Sequence, residues 1–510
     1  MKLKEFLSNK NIIITIGDMD TEIAGISYDS RYIYKDYVFF ALPGYNTNGK
    51  KYINEAISKG ASVVVTNSQC STNAKAQIVV NNIFHFMSFM CNKFYNYPDR
   101  ELYVIGITGT NGKTTVTYMI ESILKNLNIE CGVIGTINYR YKDKIIEAIN
   151  TTPQSLDIFK IMREMVDSGI KYLVMEVSSH ALSLGRVYGV DFDMVVFTNL
   201  TRDHLDFHKN MNNYFKAKFM LFKKLGSGAK NGEKYIITNG DDKYGKKISK
   251  IRQCVNVKFY SVRDDVADLK AENIKITMKD NSFDVIFDNE KTKISMKHIG
   301  VHNVYNALAA LGAVIFSGIS LKRASEGLNN FGYVPGRFEK IDTKNLNFEI
   351  IVDYAHTNDA LKNVLQALQK IKFKKIITVF GCGGDRDRAK RPLMGKIAVE
   401  MSDFVFVTSD NPRLEDPYNI ILDIEIGIKR IGKKNYKVVV DREMAIKEAV
   451  MMAEQNDIVL ISGKGHETYQ IIGMKKFYFN DIEIAKKYVA LKEKQKNLLK
   501  QIGQKEFTFK

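Results

Sequence analysis

A phosphate-binding loop is the clearest chemistry in the sequence. In Gly106-Ile-Thr-Gly-Thr-Asn-Gly-Lys-Thr-Thr115, the glycines at 109 and 112 free backbone N–H groups to close around phosphate oxygens. The loop lies between a strand-like run, Leu102–Ile107, and a helical pattern from Thr114 to Leu127, so a helix N-terminus would face the bound anion. Lys113 has the reach for the terminal phosphates, and the Thr114 hydroxyl suits magnesium. Gly109, Thr110, Asn111, Gly112, Lys113, Thr114 and Thr115 are therefore expected to hold a nucleotide. The loop is a variant, because Ile107 stands where the common pattern has its first glycine. Such a loop leaves the fate of the phosphate open among hydrolysis, kinase transfer and carboxylate activation.

A second feature is Val407-Thr-Ser-Asp-Asn-Pro-Arg-Leu414, a strand end running into a turn. Pro412 presets its own backbone angle, and Asp410 and Asn411 suit the start of a turn. Alone, it reads as a strand-ending turn that also carries Arg413.

The elements that must position these loops alternate strand-like and helical patterns in three blocks, which predicts an α/β protein of three domains. Residues 1–98 form a small α/β block that ends at the turn-like Tyr97-Pro98-Asp99-Arg100. Residues 99–332 form the central phosphate-loop domain, with a mostly parallel sheet covered by helices. After the turn at Val334-Pro335-Gly336, residues 333–490 read as a Rossmann-like domain, followed by a basic tail at 491–510 with helical character. Four runs between about Lys258 and His298 read as short antiparallel strands inserted on the central domain. Nearly every polar motif falls just past the carboxyl end of a predicted strand, where open α/β sheets collect ligands.

Composition narrows the function classes. The chain has 510 residues, 45% of them hydrophobic, enough for packed cores. The opening residues lack a signal peptide's apolar segment, and no apolar run spans a bilayer, so a cytoplasmic protein without membrane insertion is expected. Five scattered cysteines with no C-x-x-C pair fit a reducing compartment and argue against a thiolate zinc site. The formal charge of +18 is spread over every segment, and no nucleic-acid motif accompanies it, so no nucleic-acid partner is expected.

The motifs together resemble those of the Mur ligases. GITGTNGKTT, TTP at 151–153, EVSSHAL at 176–182, FTNLTRDHLDFH at 197–208, YFKAKFMLF, TNGDD, VHNVYNALAA, VPGRFE, DYAHTND, GCGGDRDRAKRPLM, DNPR and GKGHE occur in family order up to about Asp481. The resemblance is nearest to the MurE type, which joins the third amino acid to UDP-MurNAc-L-Ala-D-Glu. It implies that ATP phosphorylates the terminal carboxylate of the nucleotide-peptide and that an incoming amine then displaces phosphate to form an amide. An ATP tetra-anion and a carboxylate repel each other, so metal ions and cations must draw them together.

By that resemblance, ATP and Mg²⁺ are required, with Lys113, Lys218, Glu176 and His204 as the catalytic set. Thr114, Glu176 and His204 would hold magnesium, joined by Lys218 once carbamylated. Asn239 and Asp241, Asn303 and Asn306 map to the adenine and ribose end, and Arg337, Asp353 and His356 complete the nucleotide site from the third domain. DYAHTND carries Asn358 where the family has proline. Ser30 and Arg31, with the turn at 46–49, resemble the uridine-diphosphate region; Thr151, Thr152, Ser178 and Arg186 would meet the muramoyl-peptide.

The third domain should choose the amine. A meso-diaminopimelate site must receive a distal carboxylate that L-lysine lacks, and a bidentate arginine suits it. Arg386, Asp410, Asn411, Pro412, Arg413, Gly463 and Glu467 are expected to form that site, since D-N-P-R accompanies diaminopimelate addition among MurE relatives. The expected function is thus a monomeric, ATP-dependent ligase adding meso-diaminopimelate to UDP-MurNAc-L-Ala-D-Glu. The alternatives are the same ligase using L-lysine or another diamino acid, a folylpolyglutamate synthase relative, a catalytically retired paralogue, and a phosphate-loop regulatory or nucleic-acid-binding ATPase.

Overall fold

The computed structural model describes residues 1–44, 48–251, 255–264, 266–277, 279–371 and 373–507, with side chains through residue 498. Residues 46 and 47 of the turn expected near the uridine end lie outside the described residues.

Three open sheets follow one another along the chain. The first has five strands, with Tyr37–Phe40, Ala61–Thr66 and Ala76–Val80 pairing in parallel. The run Ala-Ser-Val-Val-Val-Thr at 61–66 is buried along its whole length, as a β-branched strand covered on both faces must be.

The second sheet has eleven strands around a parallel centre. Tyr103–Thr108 lies between Tyr172–Glu176 and Met194–Phe197, and Tyr235–Asn239 follows outward. The phosphate-loop helix, Lys113–Asn126, and the alanine-rich helix Val301–Ile315 share a core with this sheet. The runs between Lys258 and His298 differ from the expectation of an antiparallel insertion. Asn256–Ser261 pairs in parallel with both Tyr235–Asn239 and Leu269–Ile276; only Leu269–Ile276, Asn281–Phe287 and Glu290–Met296 pair antiparallel with one another. These strands continue the central sheet, because Leu269, Ala271, Phe283, Val285, Ile294 and Met296 are buried in the same core as the alanine-rich helix.

The third sheet has six strands, five of them parallel: Glu349–Asp353, Ile458–Ser462, Ile376–Phe380, Phe404–Val407 and Tyr436–Val438. Separate apolar cores cover its two faces. Its carboxyl edge delivers Asp353, Gly381 to Arg388, Thr408 to Arg413 and Gly463 side by side. The last helix, Asp481–Phe507, packs Ala485, Tyr488 and Val489 into one core and runs through residue 490 without a break. No helix among the described residues is long and apolar enough to cross a membrane.

That last helix starts on a buried ion pair. Arg442 donates from Nε and Nη2 to Asp481 at 2.8 and 2.7 Å, and from Nη2 to the Ser462 carbonyl at 3.0 Å. Both side chains are fully buried, so removing one strands the other without water or counter-charge. Arg442→Ala should destabilise the C-terminal domain by about 3–5 kcal/mol, read by calorimetry, while Arg442→Met with Asp481→Leu recovers much of the loss.

Candidate functional site

The cleft between the central and C-terminal sheets gathers most of the polar motifs. Gly109 and Gly112 take φ values of +150° and +90°, and a Cβ at 112 would lie 2.3 Å from Asn306 Oδ1. Glycine at 112 therefore satisfies both the left-handed turn and the close approach of the alanine-rich helix. Lys113 donates to the carbonyls of Gly109 and Thr110 at 3.0 and 2.9 Å. Lys218, buried on helix Met211–Lys224, donates to the same Gly109 carbonyl at 2.8 Å. Burial and the neighbouring Lys113 charge push the Lys218 amine well below its ordinary pKa.

Glu176 ends the strand beside the loop and is buried. Its Oε2 accepts from Thr114 Oγ1 at 3.0 Å and Thr136 Oγ1 at 2.9 Å, and its Oε1 accepts from Thr136 N at 2.9 Å. Arg337 Nη2 approaches Thr114 Oγ1 at 3.4 Å from the chain joining the two domains, while its Nε is buried without a partner. Thr151 Oγ1 lies 3.1 Å from Thr136 Oγ1, whose proton goes to Glu176, so Thr151 is the donor of that bond. Thr152 Oγ1 donates to the Glu176 carbonyl at 2.8 Å and accepts from Ser178 N at 3.0 Å. Arg186 Nη1 donates to the Thr152 carbonyl at 2.9 Å, and its Nε too is buried without a partner. Thr114, Glu176, Thr151, Thr152, Ser178 and Arg186 thus form one connected network beside the phosphate loop.

Next to the loop, a cavity of about 510 Å³ is lined by Asn111, Gly112, Thr115, Asn239, Asp241, Asn303, Asn306, Arg337, Asp353 and His356. Asn239 and Asn303 use their amide nitrogens on backbone carbonyls of Thr198 and Ile299. Asp241 accepts from Ser261 and Tyr305 hydroxyls at 2.7 and 2.8 Å. Asp353 accepts from Phe338 N at 2.7 Å; burial raises its pKa against the opposing charge of Arg337.

His204 takes a left-handed φ of +53°, and its Nε2 lies 3.3 Å from Asp203. It contacts Asp203 and the rings of His180 and Tyr214, and the Tyr214 hydroxyl lies 3.1 Å from Thr110 Oγ1 of the phosphate loop. His356 Nε2 and Lys390 Nζ, both from the C-terminal domain, each lie 3.8 Å from Asp203. Burial opposes ionisation of Asp203, but the surrounding His204, Lys390 and His356 outweigh it and hold the carboxyl well below its ordinary range.

At the C-terminal sheet edge, Asn411 is held on three sides. Its Oδ1 accepts from Lys464 Nζ at 3.1 Å and Ile471 N at 2.9 Å, and its Nδ2 donates to Glu467 at 2.9 Å. Asp410 is buried, and a Cβ on Gly463 would meet its Oδ2 at 2.7 Å. Arg413, beyond Pro412, has φ +54° and is locked by the hairpin Tyr469–Tyr478: its N–H donates to Ile471 O at 3.0 Å and its carbonyl accepts from Gly473 N at 2.7 Å. A left-handed non-glycine residue costs about 1–3 kcal/mol, which these fixed bonds offset. Its guanidinium donates to the Gly384 carbonyl at 2.8 Å, and among the described residues neither Arg413 nor Arg386 has a carboxylate within 4.0 Å. Burial, then the nearby Arg386 charge, lowers the Arg413 pKa.

Ser30 lies apart from the cleft: it is buried, donates to Glu55 at 3.0 Å, and Arg31 pairs with Asp29. Thr136, Asp203, Lys390 and Lys464 were not singled out from the sequence. The last three stand inside quoted motifs, and a charged residue repeated at strand ends was the available signal; Thr136 carried none.

Comparison with known proteins places this arrangement. The chain belongs to the Mur ligase family. It matches the Mur ligase middle domain over residues 107–314, the glutamate ligase domain of Mur ligases over 336–465, and the Mur ligase family catalytic domain over 22–89. It is 43% identical over 491 residues, 96% of this chain and 99% of the other, to a UDP-N-acetylmuramoyl-L-alanyl-D-glutamate–2,6-diaminopimelate ligase of Clostridium acetobutylicum. The relative of the same name in Fusobacterium nucleatum is 44% identical over 94% of this chain and 97% of its own. A solved structure of a ligase with that name is 29% identical, with a TM-score of 0.67 over 97% of this chain and 99% of that one. The MurF ligase of Thermotoga maritima in complex with ADP shares the fold, with 18% identity and a TM-score of 0.64 over 93% and 99% of the two chains.

The histidines of the cleft give a pH signature. Burial, followed by nearby positive charge, lowers His180 and His208 to about 4, so the fold keeps them neutral. The unfolded chain takes up their protons near pH 6.5 while the folded chain does not, so stability falls as pH drops from about 6.5 towards 4. Thermal unfolding should show that loss, and His180→Phe should reduce it.

Proposed function

We propose that the chain is an ATP-dependent ligase that adds meso-diaminopimelate to UDP-MurNAc-L-Ala-D-Glu, in the cytoplasm, as a step of peptidoglycan precursor synthesis. The observation that carries the choice of amine is the pair Arg386 and Arg413, adjacent in charge, Arg413 partly buried and Arg386 exposed, with no carboxylate within 4.0 Å of either among the described residues. Two such cations call for an anion from the ligand, and the distal carboxylate of diaminopimelate supplies one where L-lysine has none. The names of the relatives support the same reading.

The chemistry follows from the placement. Phosphorylation turns the terminal carboxylate of the nucleotide-peptide into an acyl phosphate, and the free amine of diaminopimelate attacks its carbonyl carbon. The C–O bond to phosphate breaks, phosphate leaves, and the attacking nitrogen loses its proton to solvent. Lys113 and Arg337 bring positive charge to the phosphate end, where transition-state charge accumulates. Arg186 faces the muramoyl-peptide from the Thr152 network, and Ser30 and Arg31 would meet the uridine diphosphate.

Magnesium fits the oxygen donors Thr114 and Glu176, which are hard ligands already sharing one hydrogen bond. No cluster of three or more His, Cys, Asp or Glu among the described residues could hold a metal alone, so phosphate and water would complete the shell, as magnesium prefers. Bound there, the ion would neutralise phosphate charge. The lowered pKa of Lys218 favours the neutral amine that carbamylation requires, and the resulting anion, with His204, would serve a second ion.

An amine panel tests the reading. With ATP and UDP-MurNAc-L-Ala-D-Glu, tripeptide and phosphate should form with meso-diaminopimelate, and L-lysine should give a kcat/KM at least about 100-fold lower, since an unpaired desolvated arginine costs a few kcal/mol. Equal turnover with L-lysine would falsify the specificity. Arg413→Ala should raise the KM for diaminopimelate while binding of ATP and the UDP-dipeptide is preserved; a parallel loss of all three makes Arg413 a folding residue.

A further inference from the structure

Three consecutive residues of one central-domain loop reach three different neighbours. Thr201 exchanges hydrogen bonds with Thr110 of the phosphate loop, N to Oγ1 at 3.1 Å and Oγ1 to O at 3.2 Å. Arg202 donates from Nε and Nη2 to both oxygens of Asp387, in the C-terminal domain, at 3.0 and 3.3 Å. Asp203 lies among His204, His356 and Lys390. The loop therefore contacts the phosphate site and two C-terminal loops within one short stretch of backbone.

Asp387 immediately follows Arg386, and its carboxylate turns the chain into the next helix by accepting from Ala389 N at 3.0 Å. Its side chain is only 7% exposed, and Arg202 is its only cation within 4.0 Å among the described residues. A carboxylate that deep is costly to leave alone, so it draws the C-terminal loop onto the central one. The rear of the same loop is fixed inside its own domain: Arg391, fully buried, donates to Glu415 at 2.7 and 2.9 Å, to Asp423 at 2.9 Å and to the Gly383 carbonyl at 3.2 Å. Among the described residues Arg386 itself bonds only the neighbouring Asp385 carbonyl, so its position follows these two clamps.

We propose that Arg202 is a positioning residue that, through Asp387, holds the amine-binding loop in register with the phosphate site. The proposal rests on the ligase reading above. Its consequence is chemical coupling. When the loop is held, the amine nitrogen bonds to the acyl carbon as the C–O bond to phosphate breaks, giving amide, phosphate and a released proton. When it drifts, a water oxygen attacks the same carbon instead, giving back the carboxylate and phosphate, so ADP accumulates without tripeptide. Displacements of about 1 Å suffice to cost such a reaction about 100-fold.

The experiment compares wild type, Arg202→Gln, Asp387→Asn and the exchanged pair Arg202→Asp with Asp387→Arg, in the full-length protein with ATP, UDP-MurNAc-L-Ala-D-Glu and meso-diaminopimelate. The single variants should raise the KM for diaminopimelate about tenfold and lift the ADP released per tripeptide from about one to about two or more. The KM values of ATP and the UDP-dipeptide should stay within about twofold, and the exchanged pair should bring the ratio back towards one. A ratio fixed at one in both single variants, or three KM values rising together with a lowered Tm, overturns the proposal. A wild-type preference for L-lysine overturns the substrate reading alone, because the ratio is then read with L-lysine.

Discussion

Lys113 and Lys218, from different helices, donate to one carbonyl oxygen, that of Gly109. Two ammonium groups held that close repel, and in a dry cleft the repulsion is far stronger than in water. Arg337 adds a third cation on Thr114, with one of its own donors unmet. This concentration of charge is unfavourable to the fold alone and favourable to an anion that enters it. The left-handed glycines, the alanine-rich helix pressed against Gly112 and the strand that delivers Glu176 are the scaffold that holds the cations at this separation. The same frustration explains why a Lys218 amine with a lowered pKa sits here: its position disfavours the charge that an exposed lysine would carry.

The C-terminal domain repeats the device with arginine. Arg386 and Arg413 are set beside each other by loops that leave successive strands, and among the described residues neither has a carboxylate within 4.0 Å. At Arg391 and Arg442 the paired guanidinium is itself fully buried and donates to a backbone carbonyl as well.

Much of this was legible in the sequence. The parallel strands were marked by unbroken apolar runs such as Val104 to Ile107 and Val459 to Ile461, and the loops by glycine and asparagine immediately after them. The direction of Asn256–Ser261 was not legible, because its run has no helical crossover after it to signal parallel pairing; its place depends on a core shared with a helix some forty residues later. Asn411 was legible as a ligand candidate, but its bonds to Lys464, Glu467 and Ile471 need residues more than fifty positions away. The Arg202–Asp387 pair was hidden for the same reason: each partner reads as an ordinary surface charge until the two domains meet.

The pairing of Arg442 with Asp481 also sets an order of events during synthesis. The strand that ends at Ser462 and the glycine turn beside Asp410 lean on an arginine whose counter-charge lies at the first residue of the final helix. While the chain is still being made, the phosphate loop and its sheet can close long before that residue emerges. The amine pocket cannot. A nascent or truncated chain would therefore form its phosphate loop before its amine pocket.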